Sequence, residues 1–78
     1  MQFDIEYICD EEIKEAILMI LRIQFATYPD DIIILVSRLL GYRVTTENIR
    51  KRIKTVLDEL IGKKMLTLRP NGMIDIKT

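Results

Sequence analysis

Apolar side chains recur at helical spacing in three stretches of the chain. The spacing predicts a first helix over residues 11–24, a second that begins at Asp30 or Asp31 and ends at Gly41, and a third within residues 45–62. The residues predicted to face a common core are Ile13, Ala16, Ile17, Ile20 and Leu21 in the first helix, Ile32, Leu35, Val36, Leu39 and Leu40 in the second, and Ile49, Ile53, Val56, Leu57 and Leu60 in the third.

A β-hairpin is predicted after the third helix. Apolar and polar residues alternate in residues 65–69 and 73–77, and Pro70-Asn71-Gly72 between them is a strong turn sequence. The residues expected on the inner face of the hairpin are Leu66, Leu68, Ile74 and Ile76. The predicted fold is therefore mainly α, in the α+β class, with three helices and a C-terminal hairpin in one domain that spans residues 1–78.

The limits of the helices are predicted from capping residues. Asp10 stands where the first helix needs an N-cap, and Thr45 or Thr46 can cap the third helix through a hydroxyl group. Gly62 is expected to end the third helix in a left-handed conformation. Val44 follows the second helix, and we expect its side chain to fill the angle between the second and third helices.

The first nine residues carry a different pattern. Phe3-Asp4-Ile5-Glu6-Tyr7-Ile8 alternates apolar and acidic side chains, which predicts a short strand or an extended arm. Because these acidic side chains would be repelled by an anionic partner such as a phosphate backbone, we expect the arm to pack on the protein or on a second copy. Cys9 is the only cysteine and cannot form an intrachain disulfide bond, so we expect it to be a small buried apolar residue.

The composition is that of a globular domain without catalytic machinery. With 78 residues, of which 49% are hydrophobic and 31% charged, the chain can enclose one core. It has no histidine, no CxxC motif, no glycine-rich phosphate loop and no G-x-S-x-G motif, so we expect neither enzymatic activity nor a cofactor. The acidic residues at positions 10–15 and 30–31 match helix starts better than a metal site, so no metal is expected.

No membrane association is expected. The longest apolar run, residues 16–21, is far shorter than the roughly 20 residues that cross a bilayer. No positively charged leader with a small-residue cleavage site follows Met1. We therefore expect a cytoplasmic protein.

The net charge of zero conceals two oppositely charged halves. Residues 1–37 contain eight acidic and two basic side chains, whereas residues 38–78 contain ten basic and four acidic ones. The halves therefore carry net charges of −6 and +6. Because the local field at a docking surface decides what is attracted, the second half can bind DNA although the total charge is zero.

The order of these elements resembles a known family. Residues 35–69, LVSRLLGYRVTTENIRKRIKTVLDELIGKKMLTLR, resemble the core of winged helix-turn-helix transcriptional regulators of bacteria and archaea. The similarity lies in Leu35, Leu39 and Gly41, the threonine cap, the apolar stripe of the basic third helix and the Gly-Lys-Lys-Met-Leu entry into the hairpin. The small size and the richness in isoleucine and lysine resemble regulators of archaea, their plasmids and their viruses.

The resemblance implies sequence-specific binding of double-stranded DNA and regulation of transcription. The third helix would enter the major groove, with Asn48, Lys51 and Arg52 at base edges, and the hairpin, as the wing, would touch the backbone or the minor groove. The expected DNA-binding residues are Arg43, Thr46, Asn48, Arg50, Lys51, Arg52, Lys54, Thr55, Lys63, Lys64, Arg69 and Asn71. Other winged helices bind proteins instead of DNA, and this is the alternative function.

Surplus apolar surface on the first helix predicts a homodimer. At about 100° per residue, Leu18 and Met19 lie well away from the inward stripe, so one small core cannot bury them. The residues expected at the dimer interface are Phe3, Ile5, Tyr7, Leu18, Met19 and Phe25. The alternative is a first helix that the N-terminal arm covers. No polar set that would line a cavity is visible, so no small-molecule ligand is expected.

Overall fold

The computed structural model describes residues 8–76 and contains the expected helices in the expected order. The helices are α1 (Asp10–Gln24), α2 (Pro29–Leu39) and α3 (Glu47–Gly62), and the antiparallel strands β1 (Leu66–Leu68) and β2 (Ile74–Ile76) follow them. This arrangement confirms the predicted α+β fold class and is consistent with a winged helix. The predicted strand or arm falls mostly on residues 3–7, which lie outside the described residues.

A single hydrophobic core lies between the three helices and one face of the hairpin. Each helix packs against the other two, β1 packs against α3, and β2 packs against α1. The buried apolar residues are Ile13, Ala16, Ile17, Leu21, Ile32, Ile33, Val36, Tyr42, Ile49, Ile53, Val56, Leu57, Leu60, Leu66 and Ile74. The predicted inner stripe of α3 is confirmed in full. Because each large buried side chain contributes about 1.5–3 kcal/mol, this stripe fixes the orientation of α3.

The inner face of α2 differs from the predicted one. Ile33 is 2% exposed and belongs to the core, whereas Leu39, which was expected to face inward, is 48% exposed. Ser37 is also buried, and its hydroxyl oxygen lies 2.8 Å from that of Thr45, so the two groups satisfy each other. A buried serine does not contribute to an apolar pattern, and the pattern alone therefore gives the wrong centre for this face.

The first helix begins one residue earlier than predicted. Asp10 is the first helical residue, and the N-cap position is occupied by Cys9, whose side chain makes no capping hydrogen bond. The carboxylate of Asp10 instead forms an ion pair with Arg52 of α3. Cys9 is exposed, so the expectation of a buried cysteine is wrong. The N-cap precedes the buried stripe of its helix and remains at the surface.

The other helix ends agree with the prediction only in part. Pro29 is the first residue of α2, a favourable place because its nitrogen has no hydrogen to leave unsatisfied. Thr46 caps α3, since its Oγ1 accepts a hydrogen bond from the backbone N–H of Ile49 at 3.4 Å. Gly62 is still helical, and the residue with a left-handed φ, of 63°, is Lys64. Helical hydrogen bonding continues one residue past Gly62, which therefore does not terminate α3.

An aromatic side chain fills the connection between α2 and α3. Gly41 follows α2 with a φ of 99°, as its predicted role as a terminator requires. Val44 is 68% exposed, so its predicted place between the helices is wrong. Tyr42 is buried in this connection instead, and its backbone N–H donates a hydrogen bond to the carbonyl of Ser37 at 3.0 Å.

The strand β2 has backbone hydrogen-bond partners on both of its edges. On one edge it pairs with β1, with Leu68 opposite Ile74. On the other edge, Thr27 of the α1–α2 connection exchanges two backbone hydrogen bonds with Ile74, of 2.9 and 2.8 Å. Leu66 and Ile74 are buried as predicted, but Leu68 is exposed. Leu68 stands at the end of the outer strand, beside the turn, and so remains in contact with solvent.

Alanine substitutions in α2 test which of its faces is buried. Ile33→Ala is expected to lower the free energy of unfolding by about 2–5 kcal/mol, because it leaves a cavity in the core. Leu39→Ala, in the same helix, is expected to cost less than about 1 kcal/mol, because that side chain is already half-exposed. Urea unfolding followed by circular dichroism measures both values. Equal losses for the two variants would contradict the orientation of α2.

Candidate nucleic-acid interface

The first half of α3 presents polar and basic side chains on a rigid support. Asn48, Lys51 and Lys54 are exposed on the side opposite the buried stripe. Within the described residues, none of their side chains has a hydrogen-bond or ion-pair partner. These three groups are therefore available to bind an external ligand, and the helix that carries them is capped and anchored in the core.

The second half of α3 has a different charge. Asp58 and Glu59 are both exposed, and at about 100° per residue Asp58 points within about 20° of the direction of Lys51. Thr55 is exposed between the two halves, and its hydroxyl donates a hydrogen bond to the backbone carbonyl of Lys51 at 2.8 Å. The basic part of the outward face is therefore confined to the first two turns.

Both arginines of α3 are paired with acids from other helices. Arg50 lies 3.6 Å from a carboxylate oxygen of Asp30 at the start of α2. Arg52 forms its ion pair with Asp10 and also donates a hydrogen bond of 3.5 Å to the backbone carbonyl of Ile8. Of the three residues expected at base edges, Asn48 and Lys51 are thus on the open face, whereas Arg52 is directed towards the start of α1.

The remaining expected contacts are divided between the two ends of α3. Arg43 is exposed just before the helix, and the hydroxyl of Thr46 is occupied by its capping bond. Lys63 and Lys64 are exposed just after the helix. Because α3 has 16 residues and is therefore about 24 Å long, these lysines lie about four turns away from Arg43.

The hairpin residues have partners within the hairpin. Arg69 forms an ion pair with Asp75 across the two strands. Asn71, in the turn, accepts a hydrogen bond through its Oδ1 from the backbone N–H of Met73 at 3.1 Å. Both side chains are nevertheless exposed, so the tip of the hairpin remains open to solvent.

An exposed cation next to the α2–α3 connection is missing from the predicted DNA-binding set. Arg38, in the last turn of α2, is exposed and makes no ion pair or hydrogen bond with another described residue through its side chain. Its signal in the sequence was its position three residues before Gly41, directly before the connection to α3. The connection that leads into α3 therefore has one more basic residue beside it than the resemblance implied.

The residues predicted at a dimer interface differ in how far they are exposed. Leu18 is partly buried and packs against the core of its own domain. Met19 is 48% exposed and lines a groove between α1 and α2 together with Leu39 and Leu40. Phe25 is 73% exposed at the end of α1, where its backbone has a left-handed φ of 60°. The other predicted interface residues, Phe3, Ile5 and Tyr7, lie outside the described residues.

Residues 8–76 contain neither a cluster of metal-binding side chains nor a helix that could span a membrane. No group of three or more histidine, cysteine or acidic side chains in this part of the chain could hold a metal ion. None of the helices described there combines the length and the apolar character that spanning a membrane requires.

Comparisons with known proteins give no match for this chain. No family model matches it, and neither a search of curated proteins nor one of solved structures finds a match. The likeness to winged helix-turn-helix regulators therefore consists of the order of the elements and the pattern of their side chains.

The ion pair between Asp10 and Arg52 is expected to contribute to stability. In a double-mutant cycle of Asp10→Asn and Arg52→Gln, the coupling in the free energy of unfolding should be about 0.2–1 kcal/mol, because both side chains are partly exposed. Urea unfolding at low salt measures the coupling, which should decrease at high salt. As a control, Asp10→Asn combined with Lys51→Gln should show no coupling. A coupling of zero in the first cycle would mean that the pair does not hold α1 against α3.

Proposed function

We propose that this protein binds double-stranded DNA in a sequence-specific manner and regulates transcription. The observation that carries the proposal is a set of exposed side chains on the first two turns of α3 that have no partner within residues 8–76, namely Asn48, Lys51 and Lys54. A single α-helix fits the major groove, and amide and ammonium groups can donate to the edges of adenine and guanine. Because α3 is capped and packed against the core, its backbone would not have to become ordered when these side chains bind.

The charges along α3 favour one docking orientation. Asp58 and Glu59 give the second half of the outward face a charge of −2, whereas Lys51 and Lys54 together with Glu47 leave the first half at +1, so phosphate would be attracted to the first half. The helix is therefore expected to enter the groove with its first two turns, with its second half inclined away from the DNA. In helix-turn-helix proteins the N-terminal residues of the recognition helix likewise contact the bases.

The roles of the basic residues follow from this orientation. Asn48 and Lys51 are assigned to base edges, and Lys54 and Arg43 to phosphates. Arg69 at the hairpin would contact the backbone as the wing. Arg52 is left out of this interface, because leaving Asp10 and the carbonyl of Ile8 would cost it two interactions.

A second copy would extend the contact with DNA. Phe25 offers a large exposed ring at the end of α1, and burying it between two copies would contribute to association. A two-fold axis would present two copies of α3 to a palindromic site, with half-sites about one turn of DNA apart. Leu18 is not assigned to this interface, because it packs on its own core.

The second candidate function is binding to another protein through α3. Two observations favour it: the arginines at positions 50 and 52 are already paired within the domain, and Asp58 and Glu59 make the outward face mixed in charge. Against it, the outward face of α3 lacks the large aromatic or aliphatic residues that usually anchor a protein interface. DNA binding is therefore the favoured function.

Two substitutions should separate base contacts from phosphate contacts. On a site selected from random duplex DNA, Asn48→Ala is expected to weaken binding by about 1–3 kcal/mol, with little change on unselected DNA. Lys54→Ala is expected to weaken binding to both alike and to reduce the slope of log affinity against log salt by about 0.9. Fluorescence anisotropy over a range of salt concentrations measures both effects.

The control for specificity is Asn71→Ala, which removes an amide from the hairpin turn and should leave the preference for the selected site unchanged. Failure to enrich any sequence from the random pool, together with no effect of Lys54→Ala, would overturn the proposal and favour the protein-binding alternative.

Self-association can be tested independently of DNA. Sedimentation equilibrium at tens of micromolar is expected to show a dimer, and Phe25→Ser is expected to raise its dissociation constant at least about tenfold. Val44→Ser, which removes a similarly exposed apolar side chain from the α2–α3 connection, should have no effect. A wild-type protein that stays monomeric at this concentration would rule out the dimer.

A further inference from the structure

An apolar groove lies between α1 and the C-terminal end of α2. Its apolar lining comes from Ala16, Met19, Leu39 and Leu40, and the groove is shallow and open, with a volume of about 390 Å³. Met19 and Leu39 are both exposed there, and neither belongs to the buried core. Half-exposed large apolar residues that meet in one groove are typical of an interaction site, whereas isolated ones are common on any surface.

The rim of this α1–α2 groove is acidic, although its lining surface is almost entirely apolar. Glu11, Glu12 and Glu15 line it, and all three are exposed on α1. Only Glu11 has a cationic partner among the described residues, Lys14 at 3.5 Å. No lysine or arginine is among the described residues that line the groove. The groove therefore combines an apolar lining with an acidic rim on which Glu12 and Glu15 have no cationic partner among the described residues.

The groove is separate from the proposed DNA interface. All the residues that line it belong to α1 or to the end of α2, and none belongs to α3 or to the hairpin. The buried stripe of α3 packs against α1 and α2 from within the core, so the outward face of α3 points away from the bundle. A ligand in the groove and a ligand on α3 can therefore be bound at the same time.

We propose that the α1–α2 groove binds a basic amphipathic helix of another protein. Apolar residues of that helix, three or four positions apart, would lie on Met19 and Leu39, and lysine or arginine residues beside them would face Glu12 and Glu15. The apolar contact would supply most of the affinity. The charges would select the partner and its orientation, since exposed ion pairs contribute more to specificity than to affinity.

The charge of the groove decides between this occupant and others. Carboxylates would repel nucleic acid and anionic lipid. A second copy of the chain offers an exposed Met65 beside Lys63 and Lys64, but its contact with the groove would join two different surfaces. A contact between two different surfaces adds one copy after another without limit, unless the rotation from each copy to the next closes a ring. A complex of one chain with one basic helix is complete in itself and is therefore the occupant we assign.

A titration with a designed peptide tests the proposal. The probe is an amidated peptide of leucine and lysine, with leucines at helical spacing of three and four and lysines on both flanks. Added to the ¹⁵N-labelled full chain, it is expected to shift the amide resonances of Glu12, Glu15, Met19, Leu39 and Leu40. Leu39→Ser and the double variant Glu12→Gln, Glu15→Gln should each raise the dissociation constant at least about fivefold.

Matched variants elsewhere control for non-specific attraction. Val44→Ser removes an exposed apolar residue, and Asp58→Asn, Glu59→Gln removes the same charge from α3 as the double variant removes from the groove. Both should leave peptide binding unchanged. A peptide that causes no shifts, shifts confined to α3 or the hairpin, or equal weakening by the control variants would overturn the proposal. Self-association that Leu39→Ser abolishes in sedimentation equilibrium would also overturn it, because a second copy would then occupy the groove.

Discussion

The packing of one apolar stripe of α3 against α1 and α2 determines how the rest of the molecule is presented. Ile53, Val56 and Leu60 are almost completely buried, so α3 cannot rotate about its axis without exposing several of them. This fixes the opposite face, with Lys51 at its centre, as the outward surface. It also sets the first half of α3 beside the starts of α1 and α2, where Arg50 pairs with Asp30 and Arg52 with Asp10.

The sequence predicts elements well where one periodic pattern decides their position, and poorly where contacts between distant residues decide it. The stripe of α3 is found in full because its spacing has a single helical solution. The consecutive isoleucines of α2 are compatible with several orientations of the helix. The buried hydrogen bond between Ser37 and Thr45 selects an orientation that apolar spacing does not indicate. Arg52 and Asp10 are separated by 42 residues, and nothing local to either of them predicts their ion pair.

The acidic half of the chain acts in two ways. Asp10 and Asp30 lie against the arginines of α3, so part of the division between −6 and +6 is neutralised inside the domain. The glutamates of α1 point the other way, to the groove with α2. The two arginines of α3 are therefore paired with acids of the same domain. The positive charge of α3 that has no such partner among the described residues lies on Lys51 and Lys54.

The two ion pairs would respond differently to a phosphate group. Among the described residues Arg50 has one acidic partner, Asp30 at 3.6 Å, whose side chain is largely exposed, so the pair is worth at most about 1 kcal/mol. A phosphate could replace Asp30 at little cost, and Arg50 could then add to the affinity for DNA of any sequence. Arg52 is held by both a carboxylate and a backbone carbonyl, and its release would also loosen the start of α1. If the protein binds DNA as proposed, the affinity contributed by the arginines of α3 should therefore come from Arg50, and that contribution should be independent of sequence.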